Sequence, residues 1–264
     1  MADKIKCILT IAGSDSGAGA GIQSDLKTFK NHGLYGLTVI TTVTAQNTLG
    51  VSTAQPLKPG IVSAQLGSVL SDFKFDIVKI GVIGEPANIQ TISSMLGKIK
   101  NLKLVVDPVV TSKNNFLFTG EAGLKAMKKY LFKITYLLTP NLHEARLISD
   151  INIHDTASLE KALKKIFSFG CKNVLIKGGH FDKLKGIPPG TDILYNGKKF
   201  ISFSGPFIKT KNTHGIGCTF SASIASNLAL GKSLVDSISD AKKYVIKTLQ
   251  INIKVGTGYG PLEV

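Results

Sequence analysis

Arginine is almost missing from this chain. Of its 32 basic residues only Arg146 carries a guanidinium, and the rest are lysine. The formal net charge of +15 invites a nucleic-acid reading. Guanidinium forks, however, are the favoured readers of phosphates and base edges, and the lysines are scattered rather than gathered in a stripe. The positive excess therefore reads as solvated surface, and no nucleic-acid partner is expected. Cysteine is scarce too. Cys7, Cys171 and Cys218 are odd in number and far apart, with no metal-ligand spacing, so reduced thiols in a cytosol are expected. No apolar run approaches the roughly 20 residues of a membrane-spanning helix. The opening Met-Ala-Asp-Lys-Ile-Lys lacks the long apolar stretch of a secretory leader. A cytoplasmic protein with no membrane partner is the expectation. What remains is 264 residues, 43% hydrophobic, enough to bury a substantial core and expected to form one domain over residues 1–264.

Glycine, by contrast, is concentrated. In IAGSDSGAGAGIQSDLKTF, which starts at Ile11, four glycines fall within the nine residues from Gly13 to Gly21. Glycine lets backbone approach a ligand closely. A Walker loop would close on Gly-Lys-Ser/Thr, but the first lysine here is Lys27. A dinucleotide fingerprint needs G-x-G-x-x-G, and Gly17, Gly19 and Gly21 simply alternate. The stretch on its own is also compatible with a plain strand-to-helix turn.

Apolar runs of strand length recur at residues 6–11, 37–43, 77–83, 102–106, 136–139 and 173–176. They are rich in Ile, Val and Leu and do not alternate, as in strands buried on both faces. Amphipathic stretches at 22–32, 59–71, 87–100, 120–131, 142–149 and 158–169 lie between them. This rhythm predicts an α/β fold, a mostly parallel sheet with helices on both faces. Asn196-Gly197, between two β-prone runs over 192–203, predicts an antiparallel hairpin at one sheet edge.

In such sheets ligands bind at the carboxyl ends of strands, and the unusual polar residues fall there. Gly13-Ser14-Asp15, Gln46-Asn47, Asp107-Pro108, Asn141 with Glu144, and Lys177-Gly178-Gly179-His180 each follow an apolar run. Residues 209–231, KTKNTHGIGCTFSASIASNLALG, hold the most informative pattern. Gly215 and Gly217 precede an Ala/Ser-rich helix that Gly231 is placed to end. Glycines before a helix expose its first N–H groups, and the dipole adds partial positive charge, which makes an anion site. Cys218 lies at that terminus, where a thiol's pKa is lowered; it could take a proton from a substrate hydroxyl, or be a small residue packed under a loop.

The two glycine-rich stretches, with TAQNTLGV, KIGVIG, VVDPV, LTPNLHEA, IKGGH and the closing GTGYGP, resemble in order the blocks of the hydroxymethylpyrimidine/phosphomethylpyrimidine kinases of thiamine biosynthesis. The resemblance spans essentially the whole chain. It implies a three-layer αβα ribokinase-like fold, and an ATP- and Mg²⁺-dependent transfer of phosphate to a hydroxymethylpyrimidine and its monophosphate. By that resemblance Gln46, Gly13 and Asp25 line the pyrimidine pocket. Thr213, Gly215, Gly217, Lys177 and Asn141 meet the nucleotide phosphates, Asp107 and Glu144 organise Mg²⁺, and Cys218 is the base. The family also suggests a homodimer. Plainer readings stand beside these: Asn141 and Glu144 spell a capping box, Asp25 a helix acid, Asp107 a turn residue, Lys177 a surface residue. Ile216 departs from the family's usual Thr and removes a hydroxyl from the loop. Rival functions are a pyridoxal kinase on the same fold and a non-catalytic pyrimidine-binding module.

Overall fold

The computed structural model describes residues 5–112, 114–179, 184–251 and 253–264. One nine-stranded sheet runs through the molecule in the order β3-β2-β1-β4-β5-β6-β7-β8-β9. Its centre is parallel: β1 (Cys7–Asp15), β2 (Tyr35–Asn47), β4 (Ile77–Ile80), β5 (Lys103–Val106), β6 (Leu137–Leu138) and β7 (Val174–Ile176). β3 (Gly50–Pro56) joins antiparallel at one edge, and β8 (Asp192–Tyr195) and β9 (Phe200–Phe203) at the other.

The unbroken apolar runs of the central strands follow from burial on both faces. Leu9, Val78, Val106 and Leu138 pack toward one helical layer, with Leu66 of α2 (Pro59–Asp72), Ile89 of α3 (Pro86–Leu96), Ile148 of α5 (Leu142–Ser149) and Leu163 of α6 (Thr156–Phe167). A shorter helix, α4 (Glu121–Ala126), continues into a π turn, Met127–Leu131, on the same side. Ile8, Ile77, Val105 and Leu175 pack the other way, with Phe29 of α1 (Gly21–Asn31), Ile224 of α7 (Ile216–Ala229) and Val245 of α8 (Leu234–Gln250). The result is the expected three-layer αβα fold. None of the helices, among the described residues, is long and apolar enough to cross a membrane.

Three local features differ from expectation. Both sheet edges carry antiparallel hairpins rather than one, because β3 is a largely exposed strand with no apolar run to announce it. β1 continues past the predicted apolar stretch to Asp15, with a slip in its register against β2 between Ala12 and Gly13. α8 has no counterpart in the apolar pattern, since its buried stripe is Ser237, Ile238, Ala241, Val245 and Thr248.

α7 is buried along ten consecutive residues, from Thr219 to Leu228. It packs against α1, α8 and the sheet, so small residues are needed all round it. Two of its serines satisfy their hydroxyls on the preceding turn, Ser221 on the Gly217 carbonyl (3.0 Å) and Ser226 on that of Ala222 (2.8 Å), and Ser223 lies 3.1 Å from His32 Nε2. Overfilling this sandwich should be costly. Ala225→Leu, at a fully buried position, is expected to lower stability by about 1–3 kcal/mol, measured as a lower urea midpoint at unchanged slope.

Candidate active site

The polar strand ends converge on the amino terminus of α7. Gly215 caps the helix in the left-handed region (φ 83°) and accepts from the Thr219 N–H at 2.8 Å. A Cβ on Gly215 would collide with the Gly19 carbonyl of the first glycine loop. Two residues on, a Cβ on Gly217 would stand 3.2 Å from Asp107 Oδ2 and 3.3 Å from Lys177 Nζ. The two glycines thus let α7 touch both halves of the site: the loop after β1 on one side, the ends of β5 and β7 on the other. The first N–H groups of the helix, which it cannot satisfy internally, open between them. Ile216, on the intervening position, packs against the hydrophobic cluster beneath α7.

On the β5–β7 side, Lys177 forms an ion pair with Asp107, both nearly buried. Thr139 leans on the same carboxylate at 3.5 Å. Asn141 and Glu144 form the expected capping box of α5: Glu144 N–H donates to Asn141 Oδ1 (2.9 Å) and Asn141 N–H to Glu144 Oε2 (2.7 Å). An isolated bridge pairs Asn141 with Lys177, so the capping box lies beside the Asp107–Lys177 pair. Burial pushes Glu144 up to about 7; Lys177 and the Asn141 and Val110 N–H groups work against this, and Asp107 with it. Two carboxylates face one ammonium here, a surplus of negative charge that suits a hydrated divalent cation. Among the described residues no group of three His, Cys, Asp or Glu side chains forms a closed metal cage.

On the β1–β2 side, Asp15 accepts from the N–H groups of Gly17 (2.8 Å), Gly19 (3.1 Å) and Ala20 (2.8 Å), and its Oδ2 lies 2.8 Å from His214 Nε2. Burial would raise the Asp15 carboxyl, but the His214 and backbone bonds together hold it below the usual carboxylate range. Gln46 Nε2 is 3.1 Å from the same His214 nitrogen, and an open cleft of about 540 Å³ lies beside Gln46, Asn47 and Leu49. Gly13 is buried on β1 below this loop. Thr213 lies just before His214 and bonds the Lys211 carbonyl. His180 lies outside the described residues.

Two expectations are corrected. Asp25 does not reach a pocket. It is fully buried on the sheet-facing side of α1, held by Lys79 Nζ (2.8 Å) and Thr10 Oγ1 (2.6 Å). Cys218 does not have a lowered pKa. Burial pushes its thiol up to about 11; Lys79 pulls it down, while Asp25 and Asp107 push it further up. Burial outweighs the helix terminus here, although Lys79, itself paired with Asp25, still pulls the thiol down. Burial works against charge on Lys79, yet Asp25 keeps it above the ordinary lysine value. The sequence singled out neither Lys79 nor His214. Only the motif neighbours Gly81 and Gly215 mark them, and nothing in one sequence pairs Lys79 with Asp25 or His214 with Asp15.

The phosphomethylpyrimidine kinase family profile matches residues 15–263. The chain belongs to this family. It is 42% identical over 256 residues to a thiamine biosynthesis bifunctional protein of Geobacter sulfurreducens, which covers 97% of this chain and 51% of the relative. The chain thus spans about half the length of such bifunctional relatives. A hydroxymethylpyrimidine/phosphomethylpyrimidine kinase of Haemophilus influenzae is 38% identical and covers 97% of this chain and 96% of its own. Among solved structures, a phosphomethylpyrimidine kinase of Clostridium difficile is 39% identical with a TM-score of 0.80, covering 92% of this chain and 99% of that one. A Staphylococcus aureus pyridoxal kinase bound to AMP-PCP and pyridoxal is 32% identical with a TM-score of 0.88, over 98% and 93% of the two chains. The ribokinase-like fold expected from the sequence is therefore the fold of this family member.

The Lys79–Asp25 pair underlies this family site, and its sign can be tested. Lys79→Met leaves a buried carboxylate alone and is expected to destabilise by about 3–5 kcal/mol. Lys79→Met with Asp25→Leu should recover much of that loss. Thermal and urea melts of both variants check it.

Proposed function

We propose that this chain transfers the γ-phosphoryl group of ATP to the hydroxymethyl group of 4-amino-5-hydroxymethyl-2-methylpyrimidine, and then to the resulting monophosphate. The observation that carries the reading is the meeting, at one helix terminus, of the Gln46 strand end and the Asp107–Lys177 pair. The first holds an amide that offers a donor and an acceptor side by side, suited to an aminopyrimidine. The second is a charge centre suited to phosphates. Relatives carrying the kinase name along nearly their full length support it.

The chemistry is in-line phosphoryl transfer, in which positioning and charge neutralisation dominate. Gln46 and Gly13 orient the ring. The backbone N–H groups at residues 215–218 meet the oxygens of the transferring group, with Thr213 and Asn141 beside them. Lys177 sets a point cation against the same charge. Asp107 and Glu144 would hold Mg²⁺ through water. When bound, that ion offsets the charge on the β- and γ-phosphate oxygens. Cys218 receives the hydroxyl proton, which it can do only as thiolate. The same reading expects a homodimer.

The pyridoxal alternative rests on the similarity in fold to pyridoxal kinases. Coupled-assay turnover on the pyrimidine, its monophosphate and pyridoxal decides between them; exclusive turnover of pyridoxal would overturn the proposal. Gln46→Leu is expected to weaken pyrimidine binding by about 1–3 kcal/mol and leave nucleotide binding nearly unchanged, as read by calorimetry with each ligand.

Base catalysis by Cys218 gives a pH signature. A thiol at about 11 is only about one part in ten thousand thiolate at neutral pH. Its active form grows tenfold per unit as pH rises, so kcat should climb between about pH 6.5 and 8.5. Cys218→Ala should lose roughly 10²–10⁴-fold in kcat. Cys218→Asp, whose carboxyl ionises at lower pH than a thiol in the same surroundings, should keep partial activity with a profile that levels off at lower pH than the wild type's. Steady-state rates across that range at saturating Mg-ATP check this, and a kcat unaffected by Cys218→Ala would make the thiol a packing residue.

A further inference from the structure

The His214 side chain joins the two loops of the site. It stands immediately before the α7 cap, and its Nε2 reaches Asp15 Oδ2 at 2.8 Å, across 199 residues of sequence. Asp15 is not an ordinary partner. The same Oδ2 accepts from Gly19 and Ala20, and Oδ1 from Gly17, so this carboxylate organises the whole first glycine loop. The contact is closed from other sides as well. Gly19 has no Cβ because one would collide with the His214 ring, and Pro261 stands 3.0 Å from the same point. The His214 N–H donates to the Gly260 carbonyl at 3.0 Å, and Ser24 of α1 meets Thr219 of α7 at 3.0 Å.

The imidazole also has a second neighbour. Gln46 Nε2 lies 3.1 Å from His214 Nε2. A neutral imidazole nitrogen either donates or accepts, and the carboxylate of Asp15 selects the Nε2–H form, which donates to Asp15. That nitrogen then has no lone pair for the Gln46 amide. Gln46 is held to the glycine loop by its backbone, whose N–H donates to Ser16 Oγ (2.8 Å) and whose carbonyl accepts from that hydroxyl (2.7 Å), while its side-chain N–H is left for another acceptor, such as a ring nitrogen.

We propose that the Asp15–His214 pair is a positioning clasp that couples occupancy of the pyrimidine pocket to occupancy of the phosphate loop. The proposal rests on the kinase reading above. A ring bound at Gln46 fixes the loop of residues 15–20, and the clasp passes that order to residues 213–217, whose N–H groups meet phosphate. Phosphate bound there fixes His214, and through it the glycine loop and Gln46. Neither Asp15 nor His214 needs to touch a reacting atom. By thermodynamic linkage the effect must be equal in both directions.

The test is a binding cycle on the full chain. Calorimetry gives the Kd for 4-amino-5-hydroxymethyl-2-methylpyrimidine alone and with saturating Mg-AMP-PCP, in wild type, His214→Ala, His214→Gln and Asp15→Asn. In wild type the nucleotide analogue is expected to tighten pyrimidine binding by at least about fivefold. His214→Ala should reduce that factor to below about twofold, while each ligand still binds alone. His214→Gln, which keeps an N–H near the Nε2 position, should restore most of the factor. A merely structural loss would weaken both ligands and leave their ratio unchanged. Should His214→Ala fail to fold, Asp15→Asn decides, with loss of coupling expected. The clasp is overturned if wild type shows no coupling, or if it persists undiminished in the folded variants. Failure of the kinase reading looks different: wild type would then bind nucleotide but no pyrimidine, and pyridoxal would serve as the ring ligand in the same cycle.

Discussion

The amino terminus of α7 has to lie against other groups on two sides at once, and the site depends on that constraint. At Gly215 the neighbour is the Gly19 carbonyl; at Gly217 it is the Asp107–Lys177 ion pair. A Cβ at residue 215 would collide with backbone, and one at residue 217 would crowd the ion pair. Alternate glycines are the solution, and they leave only residue 216 free to carry a side chain. Ile216 turns that side chain into the apolar cluster under α7. The departure from threonine is therefore a packing choice in this chain, with the backbone N–H groups left to meet the anion. The rest of α7 follows from the same closeness: a helix lodged between two others and a sheet must be built of Ala and Ser.

Burial sets the electrostatics of the site more than the helix dipole does. A half-charge at a helix terminus is worth on the order of 1 kcal/mol, whereas desolvating an ionised group costs several. Cys218 shows which wins, with its thiol pushed up to about 11. Glu144, up to about 7 for the same reason, follows the same rule: its burial outweighs the pull of Lys177. Lys79 and Lys177 are each neutralised by a carboxylate. A polyanionic nucleotide with a divalent cation adds charge of both signs where the chain alone is unbalanced. On the kinase reading, Glu144 is the carboxylate left for the cation, and Lys177 would be shared between Asp107 and phosphate.

How far the sequence could be read follows from which interactions are local. The central strands were legible because burial on both faces writes unbroken Ile, Val and Leu runs. The Asn141–Glu144 box was legible because its two hydrogen bonds close within three residues. β3 was not, since an exposed edge strand needs no apolar run, and α8 was not, since Ser, Ala and Thr fill much of its buried stripe. Asp25 was misplaced for a similar reason. Its position in α1 is visible in sequence, but the face it turns toward is set by Thr10 and Lys79 on two separate strands. The Asp15–His214 contact spans nearly the length of the chain, and no spacing rule reaches that far.

Ring specificity has to be argued from side chains, because the backbone is shared. The fold resembles pyridoxal kinases at least as closely as a phosphomethylpyrimidine kinase, although sequence identity runs the other way. The residues to which the kinase reading gives the phosphates and the metal, Lys177, Asp107 and Glu144, lie with the α7 terminus toward β5–β7. The parts that can read a ring lie toward β1–β2, at Gln46 beside the cleft. His214 stands between the two groups, bonded to one and leading into the other. A chain divided in this way can change its ring substrate through a few residues at the end of β2 without disturbing the phosphate half, provided the joint between the halves is kept. Such division would let one fold serve two ring chemistries, and it makes the joint, rather than either pocket, the part least free to vary.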